Sequence, residues 1–392
     1  MRLVQKPAFS SRARRSRTAV IPALLLVFLA WSAAAAAPLS AVATSVPLGL
    51  PALAAPEDNL PTEARISLGR KLFFDRRLSF NGTLSCGMCH VPEQAFTQNE
   101  LRTPVGIEGR FVKRNAPSLL NVAYRSRLFH DGRESTLEHQ VWQPLLKSNE
   151  MANPSIGYVL DTIRSAADYD GLFEIAYGSA VSMEAVGMAL ASYQRSLLLA
   201  DSAFDRWRYG GDDNALDPAA RRGWTLFQAS GCRACHRVDE GSALFADGQF
   251  HDTGIGYART MGLEIGKQKV MLAPGLEMAP GPGFDTPTFS DLGRYEATGR
   301  SEDRWRYLTP SLRNVALTSP YMHDGSLPDL RAVIDYYRRG GVGSPHQDPR
   351  IRPLSLSDED VKALEAFLRS LTGNGLETLL RDARSVPIGD KH

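Results

Sequence analysis

The chain is poor in cysteine: four thiols in 392 residues, none outside two short phrases, "CGMCH" (Cys86–His90) and "CRACH" (Cys232–His236). Long apolar runs are also scarce. The one candidate, Thr18 to about Trp31, is short for a bilayer span. After residue 17 there is no Lys/Arg tract of the kind that marks nucleic-acid binding. Strand-like alternation is sparse throughout, which argues against an all-β architecture and for a mostly helical chain with long loops.

What the first residues do contain is ordered. Arg2, Lys6, Arg12, Arg14, Arg15 and Arg17 come with no acid, the apolar run follows, and then "SAAAAAPLS". That order predicts a secretory signal peptide over residues 1–37, cleaved near Ala37, with the fold starting near Pro56 and the product exported to the periplasm. Loss of those bases turns a slight basic excess, 45 against 43, into a slight acidic one. Neither balance is large enough to specify a partner.

A C-x-x-C pair alone suits a disulfide, thiol exchange or zinc. The His directly after each second cysteine points elsewhere. Covalent c-type haem needs two thiols about one helical turn apart for its vinyl groups, and an adjacent imidazole to ligate iron. Two such phrases with no cysteine left over predict two haem c groups, on Cys86, Cys89 and His90 and on Cys232, Cys235 and His236.

The chain also repeats itself. "APSLLNVAYRSRLFHDG" (Ala116–Gly132) and "TPSLRNVALTSPYMHDG" (Thr309–Gly325) match at a constant offset of 193. Each copy follows one haem phrase, which predicts two modules, residues 57–208 and 217–373, joined by a linker rich in Gly and Asp. Helices are expected over Thr62–Phe74 and Ser182–Ala200, in the stretch leading to Cys232, and near the end, where Ser357 and Asp360 form a capping-box pattern. The Gly/Pro-rich Leu272–Pro287 reads as an ordered loop, and residues after Asp382 as a fraying end.

Function turns on the second axial position of each iron, since an open one permits peroxide binding and a filled one favours electron transfer. His130, His139, His251, His323, His346 and His392 remain beyond the proximal pair. His130 and His323 occupy the same place in the repeat. They read either as ligands or haem neighbours, or as residues packed against an Asp-Gly turn.

The phrases "LGRKLFFDRRLSFNGTLSCGMCH", "RNAPSLLNVAY", "FHDGRESTLEHQ", Glu150–Met151 and "TPSLRNVALTSPYMHDGS" resemble the bacterial di-haem cytochrome c peroxidase family, including its MauG-like branch. The resemblance spans roughly residues 60–372. It implies an all-α fold of two cytochrome-c-like haem domains with long loops, and a calcium ion held by Asn115 and the carbonyls of Thr318 and Pro320. It further implies a peroxide-reactive haem over His90, with Gln140, Pro144 and Glu150 lining the peroxide pocket and Glu150 as acid/base. The second haem, over His236, would be six-coordinate. The resemblance places Tyr337 at its far side, with Tyr336 the immediate rival and Met271, Met278 and Met322 as substitutes. Where the family usually carries an inter-haem tryptophan, this chain has His130.

Three functions follow as expectations. The first is a MauG-like oxidase that uses hydrogen peroxide to oxidise a tryptophan or tyrosine of a partner protein at long range, such as a copper-binding protein or a quinoprotein precursor. The second is a peroxidase drawing electrons from a small cytochrome or cupredoxin. The third is a di-haem electron carrier without catalysis.

Overall fold

The computed structural model describes residues 46–262 and 290–389, together with the backbone of 270–273 and 276–278. The signal-peptide expectation lies outside these residues, as does most of the Leu272–Pro287 loop. Across the start of that loop, Val270–Ala273 and Leu276–Met278 pair as a short antiparallel hairpin.

Each half is built on one pair of crossing helices. In the first half, Glu63–Phe74 begins at Thr62, whose hydroxyl accepts from Arg65 N at 3.3 Å. It buries Leu68, Leu72, Phe73 and Phe74 against Met183–Ser196. The helices meet backbone to backbone at Gly69, where a Cβ would lie 1.9 Å from the Ala189 carbonyl oxygen. In the second half, Pro218–Ala229 starts with Pro at its first position and an Asp217 cap. It crosses Asp358–Arg369 at Gly223, again with 1.9 Å to a carbonyl oxygen, that of Ala363. The expected capping box is present: Asp360 N donates to Ser357 Oγ (3.2 Å), and Ser357 N donates to the Asp360 carboxylate (2.9 Å).

Met183–Ser196 stops four residues short of the expected Ala200. The cause is Asn121, whose backbone N–H takes the Leu197 carbonyl and whose amide both donates to and accepts from the Leu199 backbone, each at 2.8 Å. These side-chain bonds replace the helical ones.

The sequence repeat is a structural repeat. Asn121 and Asn314 both adopt left-handed backbone (φ 60° and 61°), each before a single 3₁₀ turn, Val122–Tyr124 and Val315–Leu317. The isolated bridges Leu128–Glu134 and Tyr321–Leu327 also correspond. The halves then exchange equivalent hydrogen bonds: Asn115 N donates to the His323 carbonyl (2.7 Å), and Leu308 N donates to the His130 carbonyl (2.8 Å). Positions 115 and 308 are copies of each other, as are 130 and 323, so the halves meet about an approximate two-fold. Arg114 fastens the same seam, bonding Asp131 at 2.6 Å and Asp291 at 2.7 Å.

The two ends of the described chain cross over. The segment around Gly49 lies on the second half, its carbonyl accepting from Ala243 N and from the Arg313 guanidinium, which also grips buried Asp205. The Leu376–Ala383 helix and the residues after it pack instead on the first half through Leu376, Leu379 and Val386. Arg76 N donates to the Gly389 carbonyl at 2.9 Å, and Arg384 pairs with Glu93. The expectation of fraying after Asp382 is therefore corrected through Gly389: apolar contacts and an ion pair hold this stretch down.

Candidate active site

Cys86–Cys89 forms one turn of helix after Ser85, and His90 follows at its end. His90 Nδ1 bonds the Phe96 carbonyl at 3.1 Å. In the second half His236 Nδ1 bonds the Phe245 carbonyl at 2.8 Å. Both phenylalanines hold positive φ, 55° and 51°, which turns their carbonyls inward toward the imidazoles. With Nδ1 engaged, each ring presents Nε2 in the tautomer a metal requires. Burial disfavours the charged form of both imidazoles. The cysteines are unpaired, and burial pushes the thiols up, to about 12 for Cys86 and about 11 for Cys89 and Cys232. Such thiols stay protonated, unlike those of thiol-exchange enzymes. Two neighbouring thiols and an oriented imidazole fit a covalent haem in each half, and in the first half a cavity adjoins them.

The first cavity measures about 440 Å³ and is walled by Cys86, Cys89 and His90 on one side and by Gln140, Pro144 and Glu150 on another. The structure thus brings together the three residues expected at the peroxide pocket. Gln140 ends the Leu137–Gln140 turn, capped by Thr136, and Pro144 lies in Trp142–Leu146. Glu150 is 3.4 Å from Lys147 Nζ, which steers its carboxylate. His130 lines the same cavity, with Nε2 bonded to the Asn115 carbonyl at 3.0 Å. Burial first, then nearby Arg114, pushes His130 down to about 3, so it is neutral at physiological pH. His323 takes no corresponding place: it stacks on Tyr307 at 3.6 Å between ring centres, and its Nε2 has no hydrogen-bond partner among the described residues.

Asn115 is the crossing point of these contacts. Its backbone joins His130 and His323, and its side-chain Nδ2 donates to the Pro320 carbonyl at 2.6 Å. Its buried Oδ1 is left without a partner among the described residues. An orphaned amide oxygen beside the Thr318–Pro320 turn is the donor type calcium takes, so these residues fit that ion.

In the second half the adjacent tyrosines separate clearly. Tyr336 is 1% exposed and donates to the Thr253 carbonyl at 2.7 Å, so its hydroxyl is committed to the core. Tyr337 lies close enough to Cys232 and Cys235 for both sulfurs to act on its phenol, which burial keeps protonated in the absence of a metal. Among the described residues its hydroxyl has no hydrogen-bond partner. Met322, in a left-handed backbone, packs against the same Ile255–Leu327–Tyr336 cluster as Tyr337, while the side chains of Met271 and Met278 lie outside the described residues.

Two further residues escaped the motif reading. Arg125 lines the first cavity with no ion-pair partner among the described residues, and burial disfavours its charge. His251 lies between Asp247 (2.8 Å) and Asp348 (2.9 Å), beside Cys235. Arg125 lies inside the first copy of the repeat but at a position the second copy, with Thr318, does not match, and His251 lies in no phrase; only the fold gathers them.

The fold and the paired sites define a two-haem c-type oxidoreductase of the peroxidase class. A family model for di-haem cytochrome c peroxidase matches residues 63–214, and one for cytochrome c matches 220–372. The MauG of Methylorubrum extorquens is 34% identical over 319 residues, 81% of this chain and 80% of that protein. The cytochrome c551 peroxidase of Pseudomonas aeruginosa is 30% identical over 316 residues, 80% of each chain. A solved structure of a MauG-like protein associated with microbial copper homeostasis superposes with a TM-score of 0.70 at 30% identity, covering 85% of this chain and 96% of that one. The chain belongs to the family of the di-haem cytochrome c peroxidases and MauG, and carries two haem c groups. No helix among the described residues is long and apolar enough to cross a membrane.

Proposed function

We propose that this protein is a MauG-like periplasmic oxidase, which uses hydrogen peroxide to withdraw electrons from a tryptophan or tyrosine of a partner protein. The observation that carries the reading is Tyr337, whose uncommitted phenol lies near enough to Cys232 and Cys235 to feel both sulfurs while Tyr336 is locked in the core. A phenolate is a hard, anionic donor that favours ferric iron and highly oxidised states; the thioether of methionine favours ferrous iron. His90 would hold one haem, and His236 with Tyr337 the other. When bound, the haems supply an open iron position for peroxide and a store for its two oxidising equivalents.

The protein's own residues supply the rest. Glu150 carries a proton between the two peroxide oxygens, the transfer that makes O–O cleavage heterolytic. Gln140 orients peroxide by hydrogen bonding, and Pro144 offers no competing N–H. Asn115, Thr318 and Pro320 hold calcium at the seam between the halves. The partner reacts at a distance, its electrons passing through the protein to the haems. A copper-binding partner is the favoured kind, in keeping with the copper association of the structurally similar MauG-like protein.

Stoichiometric peroxide added to the diferric protein tests this directly. A lasting change in the visible and near-infrared spectrum, obtained without prior reduction, is expected. Reactivity only after one haem is reduced would identify an ordinary peroxidase, and unchanged spectra of both haems an electron carrier. Tyr337→Phe should alter the spectrum of one haem alone; an unaltered spectrum removes Tyr337 as ligand.

A further inference from the structure

Four tryptophans, Trp142, Trp207, Trp224 and Trp305, are equivalent as relay candidates in the sequence, and the structure separates them. Trp142 is packed into the first core at 5% exposure. Trp305 sits between Tyr257 and His346, its indole N–H donated to Thr260 Oγ1. Trp224 and Trp207 instead continue a file of rings that begins at a proximal haem ligand. His236 and Phe227 are 6.4 Å apart between ring centres, and Phe227 and Trp224 stack at 6.0 Å with 22° between planes. Phe204 then touches Trp224 at 5.2 Å and Trp207 at 5.9 Å. Both indoles open into one surface cleft of about 360 Å³, whose rim carries Arg208, Arg233 and Asp213.

Resting on the oxidase reading above, we propose that Trp224 and Trp207 relay single electrons between the protein surface and the second haem, with Trp207 as the outer station. Phenylalanine is hard to oxidise, so Phe227 and Phe204 act as packed bridges and the indoles as stations. Neither indole N–H is bonded among the described residues. Arg233 lies 5.6 Å from the Trp224 ring centre and Arg221 5.8 Å from that of Trp207. A cation over an indole stabilises the neutral ring and opposes its positively charged oxidised form. The rings therefore pass charge rather than store it.

The electron count closes. Hydrogen peroxide takes up two electrons and two protons, its O–O bond breaks, and two waters form. Each electron leaves Trp224 toward the second haem site. It is replaced from Trp207, which is refilled from the donor, so the donor loses one electron per passage.

The test uses the holoprotein with excess peroxide and no donor, followed by peptide mass spectrometry. Added oxygen is expected on Trp207 and Trp224 and not on Trp142 or Trp305. Trp224→Phe should abolish the modification of Trp207, and Arg233→Gln should increase that of Trp224. Trp207→Phe, a substitution at the surface, should slow oxidation of reduced cytochrome c by about tenfold while leaving the peroxide-induced haem spectrum unchanged. A normal spectral change with Trp207 and Trp224 unmodified, or with cytochrome c oxidised at the wild-type rate by Trp207→Phe, overturns the relay alone. No spectral change in the wild-type protein overturns the oxidase reading and the relay with it.

Discussion

Replacing Gly223 with alanine pits two effects of opposite sign against each other. Gly223 is in the middle of Pro218–Ala229, where alanine is the better helix former by about 1 kcal/mol. Propensity alone therefore predicts a more stable protein. The structure predicts the reverse, because the new methyl would sit 1.9 Å from the Ala363 carbonyl oxygen and 2.7 Å from Phe367 Cβ. Ordinary contact would require the helices to part by roughly 1.5 Å in a close-packed interior. Overpacking of that kind costs about 1–3 kcal/mol and sometimes more, and here it meets backbone that cannot rotate away. With a gross cost of about 3 kcal/mol, the net is near 2 kcal/mol of destabilisation, a fall of roughly 4–8 °C in Tm for a unit of this size. Melting of the holoprotein, followed by circular dichroism and in the haem absorption bands, measures it. Gly157→Ala is the control: this glycine is also helical, but the nearest atom to its added methyl is Ser155 Oγ at 3.7 Å, so Tm should rise slightly. A Gly223→Ala protein as stable as wild type, or more so, refutes the close crossing.

Other outcomes follow from the seam between the halves. Calcium at 100 times its Kd should stabilise the protein by about 2.7 kcal/mol, an effect reversed by chelator. Asn115→Leu should abolish that response; calcium-dependent melting that persists in the variant would show the ion binds elsewhere. Asp291→Asn should cost about 2–4 kcal/mol in chemical denaturation, since it strips the buried Arg114 of one of its three carboxylate partners, Asp131, Asp291 and the longer-range Glu296. Arg114 holds the carboxyls of Asp131 and Asp291 below the usual range, so their stabilisation is complete above about pH 4. It is lost as pH falls from there through the lowered values, and the variant should show a shallower loss of stability with acid over that window.

The haem phrases and the repeat were legible because covalent attachment fixes residue type and spacing locally. Helix starts were legible for the same reason: Thr62 and Ser357 act on N–H groups three residues away. The end of Met183–Ser196 was not, because Asn121 competes for its backbone from far away in sequence. Nor was the choice between Tyr336 and Tyr337, whose local contexts are almost identical. It depends on which phenol meets the Thr253 carbonyl. The ranking of the tryptophans required ring-to-ring distances, and the position of Arg125 in the first cavity required the fold itself.

The crossed ends of the chain govern how the two haem-bearing halves behave as a machine. Each half is buckled by a strap that belongs, in chain order, to the other: the segment around Gly49 closes the second, and residues 376–389 close the first. A cut in the Gly/Asp linker would sever the hinge and leave both buckles fastened, so the two pieces should stay together. Cloned separately, each half would carry the wrong clasp and lack its own. The distance over which electrons must travel between the irons is thus set by the buckles and the seam, and the linker is free to vary in length.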